Sequence, residues 1–84
     1  MKGQRLETVA EFYDGQEPGV YVKVTKAEGG TVYWIRDPNG RVGRLESHTV
    51  TEHEDGTITV SPSILDPSPG GWHGFLERGV WRPA

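Results

Sequence analysis

The chain has 84 residues, enough for one small domain with a single hydrophobic core. Twelve glycines and six prolines, in a composition that is 33% hydrophobic and 25% charged, favour many turns over long helices. The net charge is −3 with acidic and basic residues interspersed, so the chain lacks the basic stripe that a phosphate backbone requires, and we expect no nucleic-acid partner. The absence of cysteine excludes disulfides and thiolate metal sites.

The N-terminal segment leads directly into charged residues. No segment approaches the ~20 apolar residues that cross a bilayer, so we expect a soluble cytoplasmic protein without a membrane partner. Residues 6–13 fit helical spacing and strand composition equally well, and we interpret them as a strand. The turn-forming residues 14–19 would end it.

Three strands are predicted to follow as a meander. Val20–Thr25 alternates valines with polar or aromatic residues, the pattern of a strand with one buried face. Glycines 29 and 30 favour a hairpin into Thr31–Arg36, which has the highest β propensity in the chain. A turn at residues 37–40 then returns residues 41–45 along that strand.

The most informative stretch begins at residue 57. Residues 57–60 alternate as a strand does, and Pro62 should end that strand where Ser63 is presented. The loop of residues 66–71 reverses the chain, and residues 72–76 predict a second strand with His73 on the face opposite Trp72. His73 should therefore return towards Ser63, and a neighbouring base is what turns a serine into a nucleophile.

Together these patterns predict a single all-β domain over residues 1–84. We expect a partly open barrel or sandwich of about six to seven short antiparallel strands. Residues 80 and 81 should add a last edge strand, followed by a frayed tail.

Other residues near the serine and histidine are candidates for a site. Gly70 and Gly71 would allow main-chain N–H groups to face a developing oxyanion, although a simple turn explains the pair equally well. Trp72 and Trp34 are candidates for the floor of a groove, whereas most of the other aromatic rings must fill the core. Asp66 would orient the imidazole of His73 or would serve turn chemistry alone.

A metal centre is the other use for histidine. His48, His53 and His73, with nearby carboxylates, supply enough ligands for zinc, but their spacing matches no signature, and a solvated hairpin has the same composition. No phosphate-binding glycine loop or dinucleotide motif is present. We therefore expect neither a metal nor a cofactor.

The C-terminal part of the chain resembles a family of small bacterial and phage proteins classed as a domain of unknown function. The resemblance rests on the sequence from Val60 to Ile64, on His73 and on the Gly79-Val80-Trp81 ending, and it covers residues 57–81. The N-terminal part is also similar around residues 12–13 and 19–22, whereas residues 26–53 match loosely. The family's cysteine cluster, which suggests a structural zinc, has no counterpart in this chain.

Family members in bacterial ubiquitin-like conjugation operons look like serine peptidases with a serine–histidine dyad, which trim or remove the ubiquitin-like protein. The resemblance implies that Ser63 is the nucleophile and His73 the general base. We expect a hydrolase or peptidase that acts on a protein terminus or a ubiquitin-like conjugate. The alternatives are a non-catalytic protein-binding module, such as a small phage accessory protein using an aromatic groove or sheet edge, and a structural piece of a larger assembly.

Overall fold

The computed structural model describes all 84 residues, in nine strands and one short helix. In chain order they are β1 (Gln4–Leu6), α1 (Val9–Gly15), β2 (Val20–Thr25), β3 (Thr31–Arg36), β4 (Val42–Arg44), β5 (Thr49–Glu52), β6 (Ile58–Ser61), β7 (Ile64–Leu65), β8 (His73–Glu77) and β9 (Val80–Pro83).

The strands form three sheets. The first has the order β1-β2-β3-β4, the second is the hairpin β5-β6, and the third has the order β7-β8-β9. All neighbouring strands are antiparallel except β1 and β2, which are parallel. The prediction of a small all-β domain is confirmed, with more and shorter strands than the sequence indicated.

The interpretation of residues 6–13 as a strand is wrong beyond Leu6, because α1 begins at Val9. Thr8 and Glu11 form a capping box: Glu11 N donates to Thr8 Oγ1, and Thr8 N donates to Glu11 Oε1. These bonds satisfy amides that the first turn of a helix leaves unpaired, and they outweigh the strand-like composition of the segment. Phe12 is the one buried residue of the helix.

The buried side chains form two clusters. The larger lies between the three sheets and comprises Tyr21, Tyr33, Ile35, Leu45, Ile58, Val60, Ile64, Leu76 and Trp81. The smaller joins α1 to β2 through Phe12, Val20 and Val22. Members of the larger cluster that lie on β6 to β9 set which face of those strands is buried, and therefore which residues face solvent.

The two chain ends meet at β9. Met1 N donates to Trp81 O, Trp81 N donates to Met1 O, and the Trp81 indole Nε1 donates to Gly19 O at 2.9 Å. The predicted frayed tail is wrong, because β9 extends to Pro83 and Ala84 N donates to His73 O. The one helix is far too short to cross a membrane.

Candidate functional site

Strands β7 and β8 bring Ser63 and His73 together. Ile64 pairs with Gly74 and Leu65 with His73, so Ser63, directly before β7, lies diagonally across from His73 on the same face of the sheet. The Ser63 Oγ lies 3.0 Å from His73 Nε2. The contact that the sequence predicts is present, and its length suits proton transfer from the hydroxyl to the imidazole.

The pair lies on the outer face of the β7-β8-β9 sheet. Gly74 and Leu76 point into the core, whereas His73, Phe75 and Glu77 point outwards. Leu65, opposite His73, is 60% exposed, and Phe75 is 37% exposed. The hydroxyl–imidazole pair is therefore open to solvent and flanked by two apolar side chains.

Trp72 anchors the start of β8 from the inner side. Its ring packs edge-on against Trp81 at a centroid distance of 5.4 Å and lies over Gly74, where any Cβ would collide with the Trp72 ring and with Arg82 O. Glycine at position 74 thus allows the close packing that fixes the backbone beside His73. The Ala84 N–H, which donates to His73 O, holds the same segment from the β9 side.

The expected groove between Trp72 and Trp34 does not form. Trp34 packs in the other cluster, against Phe12 and Tyr13, with centroid distances of 6.0 and 5.9 Å. The two indoles are equally plausible groove residues by composition, but Trp34 packs against the smaller cluster and Trp72 against the larger one.

Gly70 and Gly71 form a turn. Gly71 N donates to Ser68 O, Gly70 adopts a φ of 74°, and a Cβ on Gly71 would collide with Asp66 O. Both glycines line a small pocket of about 200 Å³ that includes neither Ser63 nor His73. The turn explanation therefore accounts for them, and the amide of Gly71 is already committed to the turn.

Asp66 also serves this loop. Its carboxylate accepts a hydrogen bond from Ser68 N and lies 3.3 Å from Arg41 Nε. The hydrogen bond from the Ser68 amide is the main reason that the pKa of Asp66 is lowered, and Arg41 adds to it. Asp66 is therefore not hydrogen-bonded to His73, and the site is a dyad without an orienting carboxylate.

The other two histidines have separate partners. His48 Nε2 lies 3.1 Å from the main-chain oxygen of Ser63, and His53 Nε2 lies 2.7 Å from Thr59 Oγ1. No group of three or more potential ligands is arranged to hold a metal ion. Sequence reasoning considered His48 only as a metal ligand, and it missed the contact with the Ser63 main chain.

A separate electrostatic cluster lies away from the dyad, around Glu52. The Glu52 carboxylate lies 2.8 Å from Lys23 Nζ and accepts a hydrogen bond from the Tyr33 hydroxyl. The Lys23 contact is the main reason that the pKa of Glu52 is lowered. Burial, helped by the hydrogen bond to Glu52, raises the pKa of Tyr33 to about 12.

Neither Ser63 nor His73 lines any of the five main surface pockets, although Ile64 and Leu65, next to the dyad, line one of about 280 Å³. Five surface pockets, of about 200 to 480 Å³, are lined by other residues. A ligand of the dyad would therefore lie across an open sheet face.

The fold and this geometry define a small all-β domain with an exposed serine–histidine pair. Comparisons with protein-family models, with curated proteins and with solved structures each give no match. The family resemblance of residues 57–81 accordingly stays a hypothesis.

Proposed function

We propose that the chain is a serine hydrolase in which Ser63 is the nucleophile and His73 the general base. The observation that supports this most directly is the 3.0 Å contact between Ser63 Oγ and His73 Nε2 on a solvent-exposed face. A serine hydroxyl needs an adjacent base to become nucleophilic, and the histidine is at the required distance.

The reaction is an acyl transfer in two steps. In the tautomer that has its proton on Nδ1, His73 Nε2 accepts the Ser63 proton while Oγ attacks the substrate carbonyl. The imidazolium returns this proton to the leaving amine as the amide bond breaks, which leaves an ester on Ser63. Water, activated by the same nitrogen, hydrolyses the ester and restores the hydroxyl.

An open face favours a flexible polypeptide terminus over a small molecule as substrate. Asp66 N donates to Trp72 O, and Ile64 pairs with Gly74 in the same register. The main-chain groups that bond to β8 are therefore those of the even-numbered residues, Ile64 and Asp66. The N–H and C=O of Leu65 then face away from β8, at the free edge of the sheet. An extended peptide can pair with such an edge beside Ser63. The family resemblance adds that the terminus belongs to a ubiquitin-like protein or its conjugate.

Labelling by an alkyl fluorophosphonate tests the proposal. We expect the probe to modify Ser63, as located by peptide mass spectrometry, and Ser63→Ala to abolish labelling. His73→Ala should abolish it as well, with little change in thermal midpoint because His73 is exposed.

Ser61→Ala is the matched control. Ser61 is an exposed serine on the neighbouring strand end, and no histidine is hydrogen-bonded to its hydroxyl. Its removal should leave labelling at the wild-type level. Wild-type protein that stays unlabelled, or labelling that survives His73→Ala, would refute the hydrolase.

A second candidate is a non-catalytic protein-binding module. It is favoured by three exposed apolar side chains on the outer face of one sheet, Leu65, Phe75 and Val80. If the wild type is not labelled, a partner that binds both the wild type and Ser63→Ala but not Phe75→Glu would support this function instead.

A further inference from the structure

The pairing of β5 with β6 ends at Ser61, two residues before Ser63. His53 N donates to Thr57 O, so the hydrogen-bonded pairs of this ladder fall on odd-numbered residues, and Thr49 with Ser61 is the last pair. The next pair would join Ser47 to Ser63. Residues 46–48 form bends and belong to no strand, so the main chain of β5 does not pair with Ser63.

The side chain of His48 takes the place of that missing ladder bond. Its Nε2 lies 3.1 Å from Ser63 O, and a carbonyl oxygen only accepts, so Nε2 must carry the proton. His48 Nδ1 is buried and has no hydrogen-bond partner. A proton on Nδ1 would lack an acceptor, so both observations select the neutral Nε2–H tautomer.

Ser63 is consequently held between two histidines. His48 binds its main-chain oxygen, and His73 contacts its hydroxyl at 3.0 Å. We infer that His48 is a positioning residue that fixes the Ser63 main chain so that Oγ stays on His73 Nε2; this inference rests on the proposed hydrolase function. Because a displacement of about 1 Å at a reacting group costs on the order of 100-fold in rate, this single bond has a kinetic effect.

Two substitutions at His48 distinguish the effect of its N–H donor from the effect of its planar ring. His48→Gln keeps an N–H at similar reach, whereas His48→Phe keeps a planar ring without a donor. We expect the fluorophosphonate labelling rate of Ser63 to fall about 10- to 100-fold in His48→Phe and to stay within about threefold of wild type in His48→Gln. A wild-type rate in His48→Phe, or equal losses in both folded variants, would overturn the inference.

Nuclear magnetic resonance supplies a readout that needs no activity. In the wild type, His48 should show the Nε2–H tautomer and a scalar coupling from Nε2 through the hydrogen bond to the Ser63 carbonyl carbon. Nuclear Overhauser contacts between the Ser63 β protons and the His73 ring should persist in His48→Gln and weaken in His48→Phe. The Nδ1–H tautomer of His48 in the wild type, or unchanged contacts between Ser63 and His73 in His48→Phe, would overturn the inference. The tautomer is measured on the wild type, so it tests the inference even if His48→Phe fails to fold. An unlabelled wild type that shows all these signals would instead refute the proposed function, with the His48 contact intact.

Discussion

At the scale of single residues, Phe75 would contact the substrate of the proposed hydrolase. The register places Phe75 opposite Arg82, whose guanidinium carbon lies 5.9 Å from the ring centroid, and next to the segment that presents Ser63. An apolar group attached to a reacting carbonyl would cover this ring. A half-exposed phenyl offers less than the ~1.5–3 kcal/mol of a fully buried side chain, so its effect on rate should be several-fold.

We expect Phe75→Ala to reduce the preference of Ser63 for long-chain over short-chain fluorophosphonates by about three- to tenfold, a loss on the order of 1 kcal/mol. The measurement is the ratio of the two labelling rate constants. Val80→Ala is the control, because Val80 is similarly exposed on the same sheet but lies opposite Glu77. An unchanged ratio in Phe75→Ala would show that the ring does not contact the substrate.

Tyr33 gives a prediction about alkaline stability. Its pKa is raised to about 12, mainly by burial, whereas in the unfolded chain it should ionise near the ordinary value of 10.0. A folded-state pKa above the unfolded one stabilises the protein below pH 10, and this stabilisation is lost as the pH rises from 10 to about 12. The thermal midpoint should therefore fall less steeply over that range in Tyr33→Phe than in the wild type. Tyr13→Phe, at an exposed tyrosine, should follow the wild type.

The sequence predicted the Ser63–His73 contact because the two residues lie at the ends of segments that one reversal of the chain brings together. It did not predict the separation of Trp34 from Trp72, since composition does not tell which sheet a ring will pack against. The His48 contact had a local signal. Extending the register of β5 and β6 from the turn at residues 53–57 places His48 opposite Pro62, the residue before Ser63.

At the scale of elements, α1 shows how capping decides an ambiguous segment. Residues 6–13 include strand-like residues, but Thr8 and Glu11 have the spacing of a capping box, which is a signal for a helix start. Arg36 NH2 donates to Phe12 O near the other end. A seven-residue helix is marginal in isolation, so these bonds and the burial of Phe12 are what maintain it.

Thr8→Ala should therefore lower the free energy of unfolding by about 1 kcal/mol, because Glu11 N loses its acceptor. In a domain of this size that loss corresponds to roughly 4–8 °C in the thermal midpoint. Glu7→Ala is the control, since Glu7 is exposed and only its main-chain N–H bonds to Glu11. Equal effects of the two substitutions would contradict a role for the cap.

At the scale of the whole molecule, local patterns predicted the antiparallel meander of β2, β3 and β4 but not the parallel pairing of β1 with β2. Hairpin partners are specified by the turn between them, whereas β1 and β2 are joined through α1. The same limit applies to the closure of the N-terminus on β9 and on the turn before it, where Gly3 N donates to Gly79 O. No short-range pattern in either segment encodes that contact.

Trp81 connects this closure to the site. Its ring is 1% exposed, its Nε1 donates to Gly19 O, and it packs in a T-shaped arrangement with Trp72, the residue directly before the strand of His73. Trp81→Phe would remove the indole donor and leave space in the core. The combined loss should be about 1–3 kcal/mol in the free energy of unfolding, measured by chemical denaturation.

Trp34→Phe is the matched control, because Trp34 is half-buried in the smaller cluster and makes no hydrogen bond through its indole nitrogen to any protein group. It should cost less than about 1 kcal/mol. In Trp81→Phe, the amides of Gly3 and Trp81 should also exchange with solvent faster, since both bond across the closure. Equal losses in the free energy of unfolding for Trp81→Phe and Trp34→Phe, with both amides still protected from exchange, would contradict this role of Trp81. The chain ends would then be held by their main-chain hydrogen bonds alone.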